Sequence, residues 1–408
     1  MGEALKPRMA SRRGDAGLRG AYALIGVVVA SFVPFYVLLL RDRGLSPDDI
    51  GLVLGASSLA GVMTTPFWSH AADTRLGTVR TLQISCIAAS AAALALIATG
   101  SGLVAIAAVA AVLGAAQGPH TALTDTLALT QLGEERVTEY GDFRLWQSVG
   151  WGVASIGFGA LFTATGTRLA LPIYAGGVAI YAVYVARFPR VRPSPSARIG
   201  SRLGSVGDAL RTVHRLPSFL VGALLVATAT HAAWDFVPLR IVSGGGDASL
   251  VGIAAGVSAF VEIPFMRSSR SLVERFGLRR VFTAGAGVYA AASVAWAMLS
   301  DPVAITLVRI GIGVGFGLTY VSLVLMTARL VPERLRNTGQ ALLQICTWGL
   351  APMIGGALGG FVYEHVGPSQ LFVGSAVGIV LGIVVVWVAV GAEARPPARP
   401  DTNDTPTG

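Results

Sequence analysis

The stretch ASSLAGVMTTPFWSHAADTRLG, residues 56–77, returns in altered form as AAGVSAFVEIPFMRSSRSLVERFG at residues 254–277. Both are apolar runs that reach a Pro-Phe pair, Pro66-Phe67 and Pro264-Phe265, and both end on Arg-x-Gly, Arg75 to Gly77 and Arg275 to Gly277. The offsets are 198 and 200 residues. A further set repeats at 197: Gln147, Trp151 and Gly152 answer to Gln344, Trp348 and Gly349. One pair would be weak. Several pairs at nearly one offset, on either side of an Arg, Ser and Pro-rich segment from Arg187 to Leu216, indicate two copies of one unit in parallel.

The rest of the chain says what the unit is made of. Of 408 residues, 53% are hydrophobic and 13% charged. Soluble domains carry roughly 25% charge, so charge here is depleted about twofold. A run of ~20 apolar residues crosses a bilayer as a helix, and lipid tolerates only structures that satisfy their own backbone. Twelve such runs are readable: 18–40, 50–71, 79–99, 102–129, 144–164 and 168–186, then 217–241, 250–270, 281–299, 303–328, 338–362 and 369–391. The fold class is therefore an all-α membrane protein of twelve transmembrane helices in two parallel six-helix halves. The divisions are 1–186, a cytoplasmic linker at 187–216, 217–391, and a polar, Pro-rich tail at 392–408 expected to be disordered. Small residues let membrane helices approach closely, which suits the 51 glycines. Repeats of this kind belong to transporters, with the site between halves near the midplane.

Arg and Lys favour cytoplasmic loops. With the N-terminus inside, the outer loops hold only Arg41, Arg43, Arg168 and Arg240, and Arg309 lies within a span. The remaining basic residues fall on the inner side or its helix edges. Both termini are thus expected in the cytoplasm of a multi-pass inner-membrane protein. The first run is too long for a signal-peptide core, so no cleavage is expected. The net charge of +9 is dispersed over many loops, which excludes a nucleic-acid patch. Cys86 and Cys346 sit within apolar runs and read as buried thiols. No cofactor and no metal is called for, and the expected partners are a small-molecule solute, protons and the lipid bilayer, with the chain as a monomer.

An ionisable group inside a span costs ~2.5–3.5 kcal/mol or more unless it meets a partner or water. The third, sixth, ninth and twelfth spans hold none in their interiors, which marks them as lipid-facing. His120 and Asp125 lie in the fourth span, Arg144 and Gln147 in the fifth, His231 and Asp235 in the seventh, Glu262 in the eighth and Arg309 in the tenth. Asp125 and Arg144 flank Glu134, the middle of a loop between antiparallel helices, by nine and ten residues, so they should reach similar depth. His231 and Asp235 are four apart and share a face beside Trp234. Glu262 is twelve residues into its run, ~18 Å deep at 1.5 Å per residue, where a carboxyl is suited to carrying a proton. Arg309, six residues from the start of its run, reads equally as a cavity residue or as one that reaches for the outer surface. Gln147 and Trp151, and Gln344 and Trp348, pair an amide with an indole at helical spacing. That suits stacking and hydrogen bonding of a ring, or equally polar packing between helices.

The segments SFVPFYVLLLRDRGLSPDDIGLVLG (31–55), YGDFRLWQSVGWG (140–152), FVEIPFMRSSRSLVERFG (260–277) and GGFVYEHVG (359–367) resemble the major facilitator superfamily. Within it they resemble the branch of lactose permease, nucleoside-proton symporters and phenylpropionate-type permeases. The resemblance implies that Asp125 is at or next to a sugar-binding carboxylate, Arg144 its arginine partner and Trp151 a ring that stacks on sugar. It implies that Glu262 is the eighth-span Glu of the phenylpropionate-type permeases. It makes Asp73, Arg75 and Gly77 a degenerate gating-loop signature. The tenth span departs: Arg309 stands near a coupling lysine, but Ile312 and Gly315 replace the coupling His and Glu, so coupling must run through Glu262, Asp235 or His231. Substrate binding is thereby expected from Asp125, Arg144, Gln147, Trp151, His231, Trp234, Gln344 and Trp348. The function expected is proton-coupled uptake of a small polar or aromatic solute: an aromatic acid, sugar or nucleoside.

Proton-driven efflux on the same fold is the alternative, because GLAPMIGGALGG at 349–360 has the Gly/Pro texture of an antiporter motif. That motif belongs to the fifth span, however, and this one is in the eleventh. A membrane acyltransferase is a remote reading of His120 and Asp125. Five steps at ~100° set those two side chains ~140° apart on a helix, too far to cooperate. The chain is not expected to be an enzyme.

Overall fold

The structure, a computed structural model, describes residues 5–133, 136, 139–189 and 202–391, and contains no strand among them. Twelve helices are long and apolar enough to cross a membrane. The first six are Gly14–Asp42, Pro47–Leu76, Thr78–Ala98, Leu103–Leu132, Tyr140–Thr165 and Thr167–Val185. The second six are Leu216–Ser243, Ala248–Ser269, Leu278–Met298, Pro302–Leu330, Thr338–His365 and Pro368–Val390. Most run a few residues beyond the apolar stretches read from sequence, because polar caps lie outside the hydrocarbon. Ser46 Oγ accepts from Asp49 N at 3.2 Å, Asp247 Oδ1 from Leu250 N at 3.1 Å, and Asp301 Oδ2 from Ala304 N at 2.7 Å. Each satisfies one orphan donor of a helix start. The linker segment contains a short helix, Arg202–Thr212. Residues 190–201 and the tail at 392–408 lie outside the described residues.

The two ends of the bundle are distinct. One carries the linker and the turns at Gly77 and Gly277, whose φ of 75° and 86° is the left-handed region that favours glycine. The opposite face carries the turns at Gly44 and Gly245. On that face Arg43 Nη1 donates to Leu96 O at 2.6 Å, and Arg240 Nη2 donates to Leu299 O at 2.8 Å. These arginines occupy matching positions in the two halves, and each ties the end of the first span of its half to the end of the third. A cation there is also favoured by the helix dipole.

The third, sixth, ninth and twelfth spans form the outside of the bundle and expose apolar side chains such as Ile87, Val183, Met298 and Val388. The ninth also contributes inward: Tyr289, 5% exposed, reaches the charges described below. The halves meet along two seams, the second span against the eleventh and the fifth against the eighth. Toward the far face both seams are backbone on backbone. Gly51 lies on Gly356 and Gly360, and Gly252 on Ser155 and Gly159. A Cβ at Gly51, Gly360, Gly252 or Gly159 would drive into the opposing main chain. Toward the linker face the bridges among described residues are side chains: Val62 on Gly349, Phe260 on Gly152, and an exposed Arg267–Asp142 pair at 3.4 Å. The molecule is thus tightly closed at one end of the inter-half space and looser at the other.

Candidate functional site

Two spans, the first and the fifth, converge on Asp125 of the fourth. Tyr22 of the first span, fully buried, donates its hydroxyl to Asp125 Oδ1 at 2.8 Å. Arg144 Nε of the fifth approaches the same oxygen at 3.8 Å. Tyr140 stands edge-on to Tyr22 with ring centroids 6.5 Å apart. The 3.8 Å gap is an ion pair and not a hydrogen bond, and both side chains remain accessible, at 27% and 37%. The arrangement is a fixed carboxylate with a loosely held guanidinium, open to a polar guest. One turn along, Gln147 Oε1 is buried with no partner. Trp151, a further turn along, is half-buried. Tyr22 and Tyr140 were not singled out in the sequence, because a tyrosine in an apolar run looks like any other interfacial aromatic.

The fifth span also carries Ser148, whose Oγ donates to Glu262 Oε1 of the eighth at 2.9 Å. This hydrogen bond crosses from one half to the other. Arg144 and Arg309 both act electrostatically on Glu262. Arg309 does not reach the surface. It is 6% exposed, lies over the Trp234 ring at 4.1 Å, leaves Nη1 unpaired, and feels Tyr289, Asp235 and Glu262. A cation on an indole face in a dry site is worth ~2 kcal/mol, which helps explain why the arginine stays inside.

His231 Nδ1 and Asp235 Oδ2 are 3.8 Å apart, again too far for a hydrogen bond. The His231 ring is parallel to Trp234 at 6.2 Å and edge-on to Trp348 at 5.9 Å. Phe316 and Tyr320 of the tenth span stand edge-on to Trp348 at 6.0 and 6.4 Å. Gln344 Nε2 donates to the Tyr320 hydroxyl at 3.1 Å. Phe316 and Tyr320, four apart on one helix face, were not singled out in the sequence, because nothing there ties that face to Trp348. The eleventh span widens into a π-helical turn at Ile345–Leu350 that includes Trp348. Pro352 follows, and its ring conflicts with the carbonyl four residues back, that of Trp348.

Asp73 and Arg75 form part of a second π-helical turn, Ala72–Leu76, which ends on Gly77 at the linker face, away from these groups. His120 is 4% exposed and faces Ser85 of the third span, whereas Asp125 faces Tyr22 and Arg144. The two do not form one site.

Residues 17–373 match the MFS_1 like family. The chain is 26% identical over 400 residues to the maltose permease of Geobacillus stearothermophilus, covering 96% of this chain and 98% of that protein. It is 26% identical over 248 residues to a probable 3-phenylpropionic acid transporter of Escherichia coli (strain K12), covering 61% and 65%. The fold is similar to a crystal structure of the nucleoside transporter NupG, with a TM-score of 0.80 at 18% identity, covering 93% of this chain and 100% of that one.

Proposed function

The chain belongs to the MFS_1 like family, a transporter of small solutes and not an enzyme, and on that premise we propose proton-coupled uptake of a neutral, hydroxyl-rich solute, a sugar or a nucleoside. It acts as a monomer in the inner membrane with both termini in the cytoplasm. Asp125, Arg144 and Gln147 hold the hydroxyls, and Trp151 offers an apolar face. A carboxylate accepts from hydroxyls and a guanidinium donates to them. The loose 3.8 Å pair leaves both groups unsaturated for that purpose. A ring hydroxyl entering the gap replaces a weak contact with two charge-assisted hydrogen bonds. The name of the maltose permease, which is matched almost end to end, supports the same class. An aromatic acid is a weaker fit, because Asp125 would repel its carboxylate.

The observation that carries the coupling is the Ser148–Glu262 hydrogen bond across the seam. A proton gained or lost at Glu262 changes a contact that must break when the halves rock apart. Protonation and reorientation therefore share one free energy. His231 and Asp235, neighbours of Arg309, supply the charge balance on the other side of the cavity. Efflux has less support: Gly355, Gly356, Gly359 and Gly360, the core of its apparent motif, are occupied in packing against the second and seventh spans.

The test is accumulation in proteoliposomes under an imposed inward proton gradient, with labelled maltose, uridine and 3-phenylpropionate offered separately. Uphill uptake of maltose or uridine that collapses with a protonophore is expected. Accumulation indifferent to the protonophore overturns the coupling, and accumulation of 3-phenylpropionate alone overturns the solute class.

A further inference from the structure

Trp348 is 45% exposed although three aromatic rings surround it. His231, Phe316 and Tyr320 all meet it nearly perpendicularly, at 79°, 72° and 72°. Edge-to-face packing of this kind is attractive and sets the orientation of an indole. The neighbours come from the seventh and tenth spans, so the ring is fixed on the inner side of its half and not among lipid-facing side chains. The π-helical turn at Ile345–Leu350 fixes the backbone from which it projects. Such turns recur at functional sites. Gln344 is exposed beside it and spends one amide hydrogen on the Tyr320 hydroxyl. Its carbonyl remains free to meet a donor.

We propose that Trp348 is the platform on which the transported solute lays a planar unsaturated ring, an aryl aglycone or a nucleobase, with Gln344 reading its edge. The proposal rests on the hydroxyl-binding role of Asp125 and Arg144 and narrows it. The solute has two parts, a hydroxylated ring held by the first half and a flat ring held by the second. A free hexose fills only the first. Stacking is tolerant of ring type because every such ring has a π face, so aryl glycosides and nucleosides share this chemistry. A carrier that grips one part of the solute with each half senses the separation of the halves through its cargo.

Calorimetric titration of the purified protein with phenyl glucoside, methyl glucoside and uridine tests this. Phenyl glucoside, uridine or both should bind at least about tenfold more tightly than methyl glucoside, the size of one stacking contact. Trp348→Ala should remove that advantage while leaving methyl glucoside affinity in place, and Trp348→Phe should keep most of it. Of the two sources, a nucleobase is indicated if uridine alone shows the Trp348-dependent advantage, and an aryl group if phenyl glucoside alone does; a Gln344→Ala protein that binds both as before overturns the edge contact. Equal binding of all three ligands overturns the platform, as does a Trp348→Ala protein that loses methyl glucoside to the same degree. If Trp348→Ala does not fold, unchanged ligand preference in the Trp348→Ile protein overturns it instead. Failure of Asp125→Asn to weaken methyl glucoside would instead sink the hydroxyl site, which separates the two readings.

Discussion

Asp125 is anchored before any solute arrives, because the buried Tyr22 hydroxyl holds one of its oxygens. Its pairing with Arg144 is loose and partly exposed. Such a pair contributes ~0–1 kcal/mol to stability, well short of the ~3–5 kcal/mol lost when a fully buried pair is broken. Asp125→Asn and Arg144→Gln should therefore fold with near-normal melting temperatures yet bind solute ~10- to 150-fold more weakly, the range for one charged hydrogen bond. Normal transport by both variants would remove the pair from the site. Glu262 yields a different signature. Glu262→Gln cannot change charge, so it should still exchange labelled for unlabelled solute across vesicles but should not accumulate it uphill. Exchange needs only the loaded carrier to reorient, whereas accumulation needs the proton to leave. Measuring both on the same vesicles decides the matter. Uphill uptake at the normal rate would move the proton to His231 and Asp235.

Among the elements, the seams decide which face of the bundle opens. Gly360 faces Pro47 and Gly51 across the seam between the second and eleventh spans, with no room for a Cβ. Overpacking such a contact costs ~1–3 kcal/mol, and each ~1.4 kcal/mol is tenfold in an equilibrium constant. Gly360→Leu should shift the carrier toward the state open at the far face by roughly 5- to 150-fold. A cysteine introduced at Trp151 should then react faster with an impermeant maleimide added from that face. An unchanged rate would mean that the seam does not gate access. The loop end between the fourth and fifth spans is held differently. Arg136 contacts Asp15 at 2.9 Å and Glu139 at 2.6 Å. The hydrogen bond from Arg136 keeps the Glu139 carboxyl below its ordinary range. A depressed carboxylate adds stability above its unfolded pKa and loses it as pH falls through the folded one. Hydrogen exchange around Tyr140 should accordingly stay slow at neutral pH and quicken only in acid below the ordinary carboxylate range. Glu139→Gln should remove that pH dependence.

For the whole molecule the question is which way it sits. Arg43 and Arg240, two of the four basic residues on the far face, are occupied by carbonyls at helix ends. They keep their charge there, and the orientation expected from the sequence rests on how few Arg and Lys the far face carries. Cysteines at Ser196, in the segment expected to link the halves, and at Gly245 test that orientation. Gly245→Cys should label from outside intact cells, and Ser196→Cys only after permeabilisation. The reverse pattern would invert the topology.

The twelve spans and their division into halves were readable from the chain because a bilayer imposes length and polarity on every span locally. The matched Pro-Phe and Arg-x-Gly segments carried the rest of the fold, since a repeat is visible at any level of packing. Single ionisable residues in apolar runs were readable as site candidates for the same reason: they are costly wherever they sit. The partners of those residues were not. Tyr22, Ser148, Tyr289, Phe316 and Tyr320 are ordinary in their own segments and acquire meaning only from a helix far away in sequence. The fate of Arg309 was equally open along the chain, because a long side chain six residues from a helix start can turn either way. Packing against Trp234 decided it. What the sequence determined by itself is what the membrane demands of each segment. What the tertiary structure decided is which side chains meet, because the space between halves is lined by residues from both ends of the chain.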